Sequence, residues 1–326
     1  MSWGRKAAAL VVVTGMFAAG CGDDGDSTAG GGGGDERPKV YVLLPSLESD
    51  SYVRESNGAE AAAATVDADV TVDAGSSRGE ATNLMSKIDT AVTKGYDVIA
   101  LNPGAVAAEL KPALAEAAAQ GVKIVAFDQG IPDFGDLSAF VGYDGHQAGL
   151  LRGQYMKEQL PDGGDVGMIH CFKENPLTAS ITEGQVEGME GGGLEVVSEL
   201  EGQCDPAKSR TAAENMLTAN PELKGLLTGT DIAAMAALPA IRKFGKPLVV
   251  VGGDAQQDVL KVIADGGPIQ ATTTFPFEEL GQQAVETAVK VANGEQVDAE
   301  ILVQPKLVTK DNVAEIQAEL ERAANG

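Results

Sequence analysis

The chain has 326 residues, 44% of them hydrophobic, and its 48 acidic against 24 basic side chains give a formal net charge of −24. So acidic a surface repels phosphate backbones and excludes a nucleic-acid partner. Two histidines leave little besides carboxylates for general acid–base catalysis, and beyond residue 20 no apolar run approaches the about twenty residues needed to span a bilayer.

At the start, Arg5 and Lys6 precede an apolar run from Ala7 to Ala19, then Gly20 and Cys21. A basic start, a short apolar middle and small residues before a cut site describe an export signal. Ala18-Ala19-Gly20-Cys21 resembles the cleavage box of bacterial lipoproteins, with Ala18 where Leu is usual. That resemblance implies removal of residues 1–20 and lipidation of Cys21; plain secretion with cleavage nearby is the alternative. Several acyl chains on one cysteine make a lasting anchor. The protein is therefore expected in the periplasm or at the cell surface, touching the membrane through Cys21 only. Losing Arg5 and Lys6 takes the net charge from −24 to −26. Residues 21–37 hold Asp23, Asp24, Asp26 and five consecutive glycines, which read as a flexible spacer rather than a cation site.

From residue 38 on, about 290 residues remain, more than one core usually supports and enough for two domains. Strands are predicted over 39–44, 68–73, 97–101, 123–127, 165–170, 195–199, 225–228, 248–251 and 269–274. Helical patterns lie between them, among others over 78–94, 105–120, 145–159, 207–219, 232–244 and 278–292. Such alternation argues parallel sheets with helices on both faces, and a run as apolar as 123–127 fits a strand buried on both sides. Gly95, Gly121, Gly245 and Gly294 close helical stretches where a left-handed cap is needed. The stretch 97–102 finds an echo in 225–231, and 122–128 in 247–254, so the chain reads as two similar, doubly wound domains.

Polar residues recur at the carboxyl ends of the predicted strands: Ser46, Asn102, Asp128 with Gln129, Cys171, Thr230 with Asp231, and Asp254. Open parallel sheets bind ligands at that edge. Any one of the aspartates is equally at home capping the following helix, but so many polar tips together favour a site. Aspartates and amides suit hydroxyls, and no tip is an arginine, the usual clamp for carboxylate or phosphate. The tips therefore favour a neutral polyhydroxyl or a cationic ligand. Tyr52, Phe172 and Phe275 lie beside these loops, as core fillers or as rings covering the apolar face of a sugar. Cys171 and Cys204 remain once Cys21 is spent, a disulfide candidate in an oxidising compartment. Two buried thiols, or a metal site with His170, are the alternatives; the metal reading lacks any CxxC pairing.

Several short motifs keep their order and spacing: Asn102-Pro103, Val141-Gly142-Tyr143-Asp144-Gly145 with Ala148-Gly149, Thr230-Asp231 with Ala234 and Ala236, Val251-Gly252-Gly253-Asp254, and Asn293-Gly294-Glu295. Through them residues 39 to about 312 resemble the type I periplasmic sugar-binding proteins of the ribose-binding group, the receptors of ABC importers. The resemblance implies two lobes, 38–142 plus 274–304 and 143–273 plus 305–326. Three crossovers near residues 142, 273 and 304 would join them and let a cleft close on the ligand. It places Asp128 and Asp254 as acceptors of sugar hydroxyls, Thr230, Gln129 and Gln185 as polar neighbours, and Tyr52 and Phe275 against the ring, while Asn102 and Phe172 join the candidate site by their place at the tips. Gln129 and Gln185 stand where ribose binders have Arg, Cys204 replaces an aromatic and Phe275 a Gln, so a related neutral solute fits better than ribose. It also sets Cys171 and Cys204 at neighbouring strand ends, within disulfide reach.

Gly75-Ser76-Ser77-Arg78-Gly79 matches the nucleophile elbow of serine hydrolases. Neither His146 nor His170 has the acid-then-histidine context a triad needs, so a Gly/Ser turn is the plainer reading. No P-loop, dinucleotide fingerprint or HExxH motif is present. The expectation is a non-enzymatic, monomeric solute-binding lipoprotein without cofactor or metal, serving an ABC permease. A sensory receptor of the same fold, feeding a chemoreceptor or kinase, ranks second and a hydrolase third.

Overall fold

The computed structural model describes residues 37–325 apart from Arg78. The export signal, Cys21 and the spacer up to residue 36 lie outside the described residues, as does the arginine of the elbow-like turn.

The first part of the chain runs β1 (Lys39–Leu44), α1 (Asp50–Ala63), β2 (Asp69–Ala74), α2 (Ala81–Thr93), β3 (Val98–Leu101), α3 (Ala107–Ala119), β4 (Lys123–Phe127) and β5 (Leu137–Tyr143). Then follow α4 (Gly145–Gln159), β6 (Gly164–His170), α5 (Pro176–Met189), β7 (Leu194–Glu201), α6 (Pro206–Ala219), β8 (Gly225–Thr228), α7 (Asp231–Phe244), β9 (Val249–Val251), α8 (Gln257–Ala264) and β10 (Ala271–Thr273). The last elements are α9 (Phe277–Ala292), β11 (Glu300–Val303), β12 (Leu307–Thr309) and α10 (Val313–Asn325).

Two six-stranded sheets result, ordered β11-β5-β4-β3-β1-β2 and β12-β10-β9-β8-β6-β7. The two halves share one strand order, which is the physical content of the sequence echo. All the ladders are parallel except β10 with β12. Both sheets are covered on both faces. In β1, Val40, Val42 and Leu44 pack with Ala59 of α1 and Leu280 of α9, while Tyr41 and Leu43 pack with Leu84 of α2 and Leu110 of α3. The second sheet packs one face on Met216 of α6, Ala234 of α7 and Val259 of α8, and the other on Met156 of α4 and Met189 of α5. The fold is thus the expected pair of doubly wound α/β units.

Strands β5, β11 and β12 are additions to the sequence reading. They lie at or beside sheet edges, where Ser138 and Gly142 in β5 and the three-residue length of β12 dilute any apolar run. The four predicted helix-closing glycines all have positive φ, from 67° at Gly245 to 94° at Gly121, where only glycine avoids a Cβ penalty. Helix α5 shows little periodicity because glycines hold it to α4. A Cβ on Gly149 would overlap the carbonyl of Ile181, and one on Gly184 would overlap that of His146.

Candidate functional site

The carboxyl edges of the two sheets carry equivalent aspartates. Asp128 follows β4 and Asp254 follows β9 by two glycines. The Asp128 N–H donates to Val141 O at 2.9 Å, and the Asp254 N–H to Thr273 O, also at 2.9 Å. Each aspartate is thus tied to the next strand outward, β5 or β10. Both take a positive φ, 57° and 116°. Such a backbone costs a non-glycine residue on the order of 1 kcal/mol or more and persists where function or surrounding structure holds it.

Around Asp128 the polar groups are interlocked. Asn102, fully buried, donates through Nδ2 to Asp128 Oδ2 at 3.0 Å and to Glu55 Oε2 at 2.8 Å, while its Oδ1 accepts from the Gly104 N–H at 3.0 Å. Gln129 Nε2 reaches Asp128 Oδ2 at 3.5 Å. Glu55 is a buried acid on α1 whose Oε1 has no partner. Burial and then the charge of Asp128 push its carboxyl well above the usual range, opposed by the Asn102 hydrogen bond. Sequence reasoning passed over Glu55. The signal was its place three residues after Tyr52 and four before Ala59, on the face of α1 that turns to the core.

Around Asp254 the equivalent work falls to Asp231. Fully buried, it accepts from the Gly253 N–H at 2.8 Å, the Gln256 N–H at 2.7 Å and Thr272 Oγ1 at 2.8 Å, which sets the loop after β9. Thr230 Oγ1 accepts from the Ala233 N–H at 3.3 Å as the N-cap of α7. Although no tip residue is an arginine, α4 sends Arg152 to this edge from beneath. It is 1% exposed, with Nε donating to Thr273 Oγ1 at 2.8 Å and Nη1 to Thr228 O at 3.5 Å. Its guanidinium lies where a Cβ on Gly253 would be, so only glycine fits there. Burial pushes both carboxyls upward. At Asp254 the negative Asp231 adds to this, and at both Arg152 opposes it. Buried and engaged in this way, Arg152 is a counter-charge rather than a ligand clamp.

The aromatic residues separate. Phe275 lies in a stack, 4.1 Å from the Tyr143 ring and 4.4 Å from that of Phe277, with the Arg54 guanidinium 5.1 Å from the Phe277 centroid. Tyr52 is 6% exposed within the apolar cluster of the first sheet. Phe172, just after β6, is 50% exposed. Gln185 sits nine residues into α5, about 13 Å along its axis, with its backbone against Gly149 and Gly153 of α4. The close helix contact buries it.

Cys171 and Cys204 are joined in a disulfide with Cα atoms 4.7 Å apart. The bridge ties the end of β6 to the loop after β7, where Gln203 and Cys204 have φ of 53° and 51°. His170 instead pairs through Nε2 with Glu199 at 3.0 Å. Among the described residues no group of three or more His, Cys, Asp or Glu could hold a metal ion. In the elbow-like turn, Ser76 and Ser77 both donate to Glu80, at 2.6 and 3.3 Å, while His146 pairs with Glu187.

A model of the periplasmic binding protein domain matches residues 40–296. The D-ribose/D-allose-binding protein of Pseudomonas aeruginosa is 25% identical over 304 residues, 88% of this chain and 90% of that one. An ABC transporter solute binding protein from Mycobacterium smegmatis, solved with bound glycerol, is 26% identical with a TM-score of 0.70, covering 86% of this chain and 96% of its own. The periplasmic ribose ABC transporter structure from Conexibacter woesei superposes with a TM-score of 0.79 at 23% identity, over 90% of this chain and all of that one, and shows the shared fold.

Proposed function

Because this chain belongs to the periplasmic binding protein family, we propose that it captures a small neutral sugar or polyol outside the cytoplasm and presents it to an ABC permease. The protein is a binding protein and not an enzyme, as its relatives are. The observation that carries the ligand class is the pair Asp128 and Asp254, acceptors at equivalent tips of two sheets, each in a left-handed backbone conformation. The sugar named for the Pseudomonas relative and the glycerol in the Mycobacterium structure support it. Asn102, Gln129 and Thr230 supply further polar groups, and Phe172 a ring at the lip.

In this reading residues 38–142 with 274–304 form one lobe, 143–273 with 305–326 the other, and the ligand closes them by a hinge motion. The crossovers suit a hinge because they are short and bonded to one another. Asp144 N–H donates to Val303 O at 3.1 Å, Tyr143 Oη to Thr274 O at 3.1 Å, and Thr274 and Lys306 bond both ways at 2.9 Å. A few residues then absorb the rotation. The mature chain is a monomer that begins at a lipidated Cys21, its only hold on the membrane.

A thermal-shift screen against sugars, polyols, nucleosides and amino acids tests the ligand class. A ligand at a thousand times its Kd adds about 4 kcal/mol of stability. A shift with a sugar or polyol is expected; a shift with amino acids alone sinks the reading.

A further inference from the structure

Asp254 also borders a space wider than its own strand tip. It lines a cavity of about 890 Å³ between α1 and α9 on one side and α7, α8 and α10 on the other. That volume is near the top of the range of roughly 300–1,000 Å³ that holds drug-sized ligands, far more than one polyol ring fills. Four apolar side chains from four helices face it: Val53 of α1, Ile232 of α7, Phe277 of α9 and Leu320 of α10. Val53 is 36% exposed. By exposed area the walls are mostly apolar, with polar and charged side chains set among them, a makeup that suits a small molecule with both kinds of surface. The Phe277 wall is held in place, stacked on Phe275 and covered by Arg54, whose guanidinium is bonded to Glu278 through Nε at 2.7 Å and Nη2 at 2.8 Å. In the same lining Arg54 and Glu278 neutralise each other, and the other ionisable groups, Asp254 and Asp258, are carboxyls that do not favour an anionic occupant.

We propose that the solute is a polyol bearing an apolar substituent, an aryl or alkyl glycoside, whose ring binds at the strand tips and whose substituent fills this cavity. The inference rests on the polyol reading above and goes further by naming what the ring carries. Asp254 belongs to both places, so a ring held there directs its substituent past Val53 and Ile232.

Isothermal titration of the full chain in phosphatidylcholine nanodiscs compares D-ribose, D-allose, D-glucose and D-galactose with both phenyl glycoside anomers of each. For an aldose that binds, one phenyl glycoside is expected to bind at least tenfold more tightly. Val53→Trp, which fills the cavity, should abolish that gain and leave the free aldose unchanged. Ile232→Trp repeats the test from the opposite wall should Val53→Trp fail to fold by circular dichroism. If the free aldose binds and both anomers bind no better, the inference is overturned. A gain that survives in the tryptophan variants overturns it as well. If no aldose, no glycoside and no polyol of the thermal-shift screen binds, the polyol reading itself falls.

Discussion

Replacing both Cys171 and Cys204 by serine removes a cross-link between residues 33 apart in sequence. In the chain-entropy description, freeing a loop of that length returns about 3.7 kcal/mol of entropy to the unfolded chain. Part of this is offset in the native state. Gln203 and Cys204 both sit in the left-handed region, at φ 53° and 51°, and a loop released from the bridge can relax, recovering about 1 kcal/mol. The expected net loss is about 3 kcal/mol. For a chain of this size each kcal/mol is worth roughly 1.5–2 °C, so melting by circular dichroism should fall by about 4–6 °C. Alkylation followed by peptide mapping should label Cys171 and Cys204 in the native chain only after reduction. Equal melting of the two proteins, with both thiols labelled before reduction, would refute the bridge and the ordered lip it implies.

Three more outcomes follow from the geometry. Asp128→Ala and Asp254→Ala each remove a carboxyl acceptor and leave a ligand hydroxyl unpaired, a loss of about 1–3 kcal/mol, so each should weaken sugar or polyol binding roughly five- to a hundredfold by calorimetry with the fold retained; unchanged affinity in both counts against the site. Glu55 is raised above its unfolded value by burial and by Asp128, so it binds more protons folded than unfolded, and its contribution is full below the unfolded pKa and lost as pH rises through the folded one. Glu55→Gln should therefore become more stable than the parent as pH climbs from 5 to 8 in urea titrations, and a difference independent of pH would contradict this. Gly149→Ala should cost about 1–3 kcal/mol by overpacking, because its methyl meets the Ile181 carbonyl and α4 must part from α5; no loss on urea unfolding would show that the helices have slack.

The alternation of apolar runs and helical periods determined the two doubly wound sheets, and the strand-ending aspartates were legible because a period ends where its polar residue begins. Strand 39–44 and helix 145–159 appear with the bounds read from the sequence, since each signal is local and the backbone answers to its own neighbours. What surrounds those aspartates was decided by the tertiary structure alone. Asn102 meets Glu55 across 47 residues, and Arg152 meets Thr273 across 121. Gln185, placed at the site by resemblance, lies in a helix contact because glycines on α4 and α5 let the backbones meet there. Periodicity says which face of an element is buried. It does not say what that face is buried against, because that partner is chosen by packing between elements distant in the chain.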